Sequence, residues 1–237
     1  MILGAQFEQI SGGTALNGLL TGLVGADADD YDNFTKLAPQ IQIPNAAGGY
    51  TTRYYAQNGW YEDASIDGGW GQKEGWCDDL GVIAPIEFTP GEAMWLKSVE
   101  TPTSANVSGQ VPDSAEESID CPAGFALRAN VFPVAITLND TNMIVDGLVG
   151  ADADDYDNFT KLAPQIQIPN AAGGYTTRYY SKNGWYEDPA IDGGWGQKAG
   201  WCDDLGVIVN DVVIPVAQGF WTKGVESDFA LKFKGVK

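Results

Sequence analysis

The chain contains no histidine among its 237 residues. That removes Ser-His-Asp and Cys-His catalysis, and with them every imidazole-based metal site. No Gly-x-Ser-x-Gly elbow, P-loop or dinucleotide glycine fingerprint stands in its place. Basic side chains are scarce: 13 Lys and Arg face 32 Asp and Glu, for a net charge of −19. Nucleic acid and anionic lipid both need a basic face, so neither is an expected partner. No hydrophobic run is long enough to span a bilayer. The opening Met1-Ile-Leu-Gly-Ala is too short for a signal peptide and carries no basic n-region, so the chain reads as cytosolic or as a mature form.

Helix formers are sparse, whereas Gly (30), Tyr (10) and Trp (8) are plentiful, a mix that favours turns and short strands. Apolar content is 44% and charged content only 19%, so the chain is not of the disordered class. Residues 22–83 recur as 147–208, 125 positions later, with five differences over 62 positions. These are Ala56/Ser181, Gln57/Lys182, Ala64/Pro189, Ser65/Ala190 and Glu74/Ala199. A fold alone does not require such identity, because cores accept swaps of similar volume and surfaces accept nearly anything. Either the duplication is recent or both copies present the same surface. With one extra residue in the second copy, Trp95 aligns with Trp221 and Gly109 with Gly235; upstream, Phe7 aligns with Phe132. The expected domains are therefore 1–111 and 121–237, joined by a linker at 112–120, each large enough for its own core.

The expected fold is all-β: two tandem, homologous, barrel- or sandwich-like domains with at most short helical turns. Gln40-Ile41-Gln42-Ile43 alternates at period 2, as does its copy at 165–168. Asn58-Gly59 between strand-like runs signals a type I′ hairpin. A helical turn is expected over 30–37, with Tyr31, Phe34 and Leu37 on one face, aspartates at its N-terminal end and Pro39 past its stop.

These motifs resemble those of tandem β-module extracellular proteins of Bacteroidetes and Verrucomicrobia. The resemblance rests on the opening strand Gly124-Phe125-Ala126-Leu127-Arg128-Ala129-Asn130-Val131-Phe132-Pro133, the central Tyr-x-Thr…Asn-Gly-Trp-Tyr segments at 50–63 and 175–188, and the closing segments at 90–95 and 215–221. It implies a secreted or surface-displayed β-protein and no catalytic residues. Unit 1 shows no counterpart of 121–125, so its first strand is expected to be short, leaving an edge open to strand addition.

Three cysteines, Cys77, Cys121 and Cys202, permit one disulfide with a thiol left over, or three buried thiols. Were Cys121 to pair with Cys202, Cys77 would be left for a bridge across subunits. Asp27, Asp29, Asp30 and Asp32, with copies Asp152, Asp154, Asp155 and Asp157, offer oxygen ligands for Ca²⁺. Their spacing fails the EF-hand loop, and helix capping serves equally well as their role. Asp78-Asp79 and Asp203-Asp204 are a weaker pair of the same kind. Trp60, Tyr61, Trp70 and Trp76, with copies Trp185, Tyr186, Trp195 and Trp201, read as core, as a protein interface or as a sugar-stacking platform. Asn33, Asn106, Asn139 and Asn158 stand in Asn-x-Ser/Thr sequons. Acids are abundant enough for a glycosidase pair, but each unit is small for a substrate cleft, and an enzyme ranks last. The expected function is structural: an extracellular or surface subunit that self-assembles through edge strands and aromatic contacts. Its alternative is a carbohydrate-binding or adhesive module.

Overall fold

The computed structural model describes residues 2–4, 20–21, 23–45, 49–84, 90–97, 106–107, 111–210, 212–225 and 227–235. Phe7, Gly109 and most of 98–110 lie outside them. The chain divides into two compact units, Met1–Pro112 and Asp113–Lys237. The described elements are antiparallel strands and two single helical turns. All sheets are open; the residues described close no barrel.

Unit 1 runs β1 (Ile2–Gly4), β2 (Leu20–Thr21), α1 (Phe34–Leu37), β3 (Gln40–Pro44), β4 (Tyr50–Glu62), β5 (Trp70–Cys77), β6 (Ala93–Lys97) and β7 (Asn106–Val107). Its main sheet has the order β1-β6-β3-β4-β5, and β2 pairs with β7. Unit 2 continues with β8 (Glu116–Cys121), β9 (Gly124–Ala129), β10 (Ile136–Thr137), β11 (Met143–Asp146), α2 (Phe159–Leu162), β12 (Gln165–Pro169), β13 (Tyr175–Glu187), β14 (Trp195–Cys202), β15 (Val213–Ile214), β16 (Gly219–Gly224) and β17 (Phe229–Lys234). Its main sheet, β14-β13-β12-β16-β9, repeats the order of unit 1. Register repeats too: Ile2 faces Trp95 as Leu127 faces Trp221, and Gln42 faces Trp95 as Gln167 faces Trp221. The alignment of Trp95 with Trp221 is thus a structural equivalence.

Two boundaries differ from the sequence reading. Glu116–Cys121 is a strand paired with β17, so most of the expected linker belongs to the sheet β11-β17-β8. Its alternation, with Ile119 and Cys121 buried between exposed neighbours, puts one face on the core of unit 2. The second difference is the hairpin. β4 runs straight through Asn58-Gly59, and the chain reverses over 63–69 instead. Asn58-Gly59 sits at a register shift between Ala56 and Gly59, a bulge that bends the strand. Glycine is needed there because a Cβ would stand 2.4 Å from Cys77 Sγ and 2.7 Å from Ile83 Cδ1.

The core of unit 2 gathers Val131, Phe132, Ile166, Trp201, Phe220, Leu231 and Phe233 between its sheets. Each unit also has a smaller cluster where the acidic loop folds onto the long hairpin. In unit 1 it holds Ala28, Phe34, Ala38, Ala56 and Cys77; in unit 2 it holds Ala153, Phe159, Ala163 and Cys202. The helical turn contributes only Phe34 to this cluster, tilted against Tyr54 at 5.9 Å. Tyr31 and Leu37 face solvent, and the first turn carries no acidic residue, contrary to the expected apolar face and charged start. One turn is too short for a full apolar stripe, and a single aromatic anchors it.

The crowding at the bulge makes a direct test. Gly184→Ala puts a Cβ 2.4 Å from Cys202 Sγ and 2.8 Å from Ile208 Cδ1. It is expected to lower stability by about 1–3 kcal/mol in equilibrium urea unfolding. Gly174→Ala meets nothing nearer than 3.9 Å, and its effect is expected to stay within about 0.5 kcal/mol. Equal effects of the two substitutions would contradict the packing described.

Candidate functional site

Two carboxylates, Asp29 and Asp27, hold the acidic loop to the hairpin. Asp29 accepts hydrogen bonds from Trp60 Nε1 at 3.0 Å, Gln72 Nε2 at 3.1 Å and Asn58 Nδ2 at 3.3 Å. Asp27 Oδ1 accepts from Asn58 Nδ2 at 2.7 Å and from the Asp29 backbone N–H at 3.0 Å. Asn58 Oδ1 in turn accepts from the Ala28 N–H at 2.8 Å. Unit 2 repeats the set: Asp154 accepts from Trp185 at 3.1 Å, Gln197 at 3.1 Å and Asn183 at 3.3 Å. There Lys182, in place of Gln57, adds an ion pair to Asp152 at 3.1 Å. Backbone bonds support the arrangement, with Ala26 N–H on Tyr55 O at 3.0 Å and Gln57 N–H on Ala26 O at 2.9 Å.

These aspartates answer to N–H donors rather than to one another. Asp30 accepts from Asn33 Nδ2 at 3.1 Å, and Asp155 from Asn158 at 3.1 Å. Asp32 and Asp157 are exposed, and the Asp32 backbone carbonyl takes the Lys36 ammonium at 2.8 Å. Asp78 and Asp203 close tight turns by accepting from two backbone N–H groups each. Among the described residues no group of three metal-ligating side chains converges. Calcium at Asp29 would have to displace three existing donors.

The platform aromatics separate into four kinds. Trp76 and Trp201 are fully buried core residues, so they present no surface. Trp60 and Trp185 are half-buried, each with its indole N–H committed to an aspartate. Tyr61 and Tyr186 lie over Gly71 and Gly196, where a Cβ would come within 2.8 Å of the ring; Lys73 and Lys198 sit 4.5 and 4.8 Å from the ring centroids. Only Trp70 and Trp195 are open, each 43% exposed at the start of an edge strand.

The three cysteines are buried free thiols, and no disulfide forms between Cys121 and Cys202. Burial pushes the thiols of Cys77 and Cys202 up to about 12, and that of Cys121 up to about 11. Cys77 packs under Gly59 and Ile83 in its own unit, where no second chain can reach it. The sequons differ in use. Asn139 takes a left-handed backbone (φ 66°), donates to Trp201 O at 2.9 Å and Val209 O at 2.6 Å, and accepts from Trp201 N–H at 2.7 Å. A glycan on that amide would break this clamp. The amides of Asn33 and Asn158 are exposed beside their aspartates, and the side chain of Asn106 lies outside the described residues.

The fold and these contacts define an acidic all-β protein of two similar units with duplicated surface loops. No family model matches the chain, and neither a curated protein nor a solved structure matches it.

In the native chain none of the three thiols is expected to react with a disulfide reagent at pH 8, while all react in denaturant; fast labelling of the native chain would contradict the burial. Asp27 and Asp152 are both held below the ordinary carboxylate range, Asp27 first by the Asp29 N–H and Asp152 first by Asn183. A lowered folded-state pKa adds stability above about pH 4 that is lost as pH falls through the folded value. The double substitution Asp27→Asn with Asp152→Asn is therefore expected to flatten the acid limb of thermal stability, measured between pH 7 and pH 2. An unchanged limb would count against the role given to these carboxylates.

Proposed function

We propose that the chain is a structural subunit of an extracellular or surface assembly, in which copies associate through faces that the two units share. The carrying observation is what the duplication left untouched. Four of the five differences, Gln57/Lys182, Ala64/Pro189, Ser65/Ala190 and Glu74/Ala199, fall at exposed positions. The surface has therefore drifted. Yet the large apolar residues exposed in both copies are the same: Val24/Val149, Tyr31/Tyr156, Leu37/Leu162, Tyr50/Tyr175, Ile66/Ile191, Trp70/Trp195 and Leu80/Leu205. Exposed apolar groups contribute little to the stability of an isolated unit, and a repeated set of them suits a repeated contact. Edge strands β5 and β14 run beside them, bridged on their outer side only near Cys77 and Cys202 among the described residues. The resemblance to tandem β-module surface proteins points the same way.

Contacts between similar units that do not close on themselves extend into filaments or arrays. The net charge of −19 opposes close approach, so assembly is expected to rise with ionic strength. Sedimentation velocity at low and high salt tests this. The chain is expected to associate as salt and concentration rise, and the variant L80S with L205S is expected to lose that association at unchanged thermal stability. A variant that associates as strongly as the parent would remove these faces from the contact.

A further inference from the structure

In unit 2 the exposed edge at Trp195 also lines a cleft with different chemistry. It measures about 430 Å³ and is lined by Tyr186, Glu187, Trp195, Lys198, Ile208 and Asn210, among others. Such a volume lies within the roughly 300–1,000 Å³ range of small-molecule sites. We infer that this cleft binds a neutral sugar ring, with Trp195 as its stacking face.

The parts match that ligand class. Trp195 is the open indole of the unit, and an aromatic face carries partial negative charge that attracts the C–H face of a pyranose. Glu187 stands directly across the hairpin from Trp195. Among the described residues, no side-chain hydrogen bond engages the Glu187 carboxylate or the Asn210 amide. A carboxylate accepts from vicinal hydroxyls, and an amide both donates and accepts. Lys198 is held 4.8 Å from the Tyr186 ring, which fixes a third polar group at the rim without a long free chain. Tyr186 itself is occupied, its ring lying against Gly196 and Ile191. The polar groups leave no deep apolar socket for a peptide side chain. The charge of −19 disfavours polyanionic glycans, so the ligand is a neutral one.

Unit 1 supplies an internal comparison. Tyr61, Glu62, Trp70, Lys73 and Ile83 repeat the cleft residues, with Glu62 across from Trp70 and Lys73 4.5 Å from the Tyr61 ring. The sequence counterpart of Asn210 is Pro85, which has no amide side chain and lies outside the described residues. The site in unit 2 is therefore the stronger one.

The test is a titration of the full chain with neutral hexasaccharides (cellohexaose, maltohexaose, mannohexaose and N-acetylchitohexaose), followed by tryptophan fluorescence and saturation-transfer NMR. At least one is expected to saturate. Trp195→Ala is expected to weaken it by about tenfold or more, and Asn210→Ala by about fivefold, both at unchanged thermal stability. Trp70→Ala is expected to leave that affinity in place. Running the titration also on the variant L80S with L205S separates sugar binding from assembly. The proposal is overturned if no hexasaccharide saturates at millimolar concentration, or if one binds Trp195→Ala as tightly as the parent.

Discussion

The arrangement of each unit's surface depends on a carboxylate surrounded by N–H donors. Asp29, and Asp154 in the second unit, tie an acidic loop to the long hairpin through an indole, a glutamine and an asparagine. Charge-assisted bonds of this kind are stronger than neutral ones, and several on one acceptor fix a loop in one place. With the loop fixed, Phe34 or Phe159 closes the small cluster beneath it, and Gly59 or Gly184 lets the cysteine and isoleucine behind it pack without a gap. The exposed residues Val24, Tyr31, Leu37 and their copies then project from a defined scaffold. Every donor and acceptor of this set falls in the faithfully copied block, as does the bulge it leans on.

This gives the duplication a physical content. The copied block contains the acidic loop, β3–β5 in unit 1 and β12–β14 in unit 2, which together form the loop-bearing half of each sheet. The divergent ends supply the remaining strands and, in unit 2, most of the large core. Core positions can diverge while volume is kept, so the ends differ without changing strand order. On the proposed reading, the exposed apolar residues that both units present are the part of the surface that does not diverge.

Much of the sheet was legible in the sequence because period-2 alternation marks half-buried strands, as in β3 and β12. The alignment of Trp95 with Trp221 marked equivalent closing strands, and the structure gives them the same partners. Asn58-Gly59 misled because a turn dipeptide and a bulge glycine look alike locally; the side chains across the sheet decide between them. Glu116–Asp120 read as linker because its polar composition hides an alternation whose partner, β17, comes more than a hundred residues later. The aromatics were recognisable as a group but not in their roles. Trp76 and Trp70 are six residues apart in one strand, yet one is core and the other open, since the edge strand is covered only towards its end. The aspartates looked like metal ligands because spacing shows the acceptors and not the distant donors that fill them. Asn210 carried no signal at all, being polar, exposed and outside the repeat.

On the proposed function, the shared faces of the two units join copies of the chain. Negative-stain electron microscopy of the intact protein, concentrated at raised ionic strength, addresses it most directly. Filaments or arrays whose repeat reflects the two units of one chain are expected. A field containing only separate particles of single-chain size at every concentration and salt would contradict it.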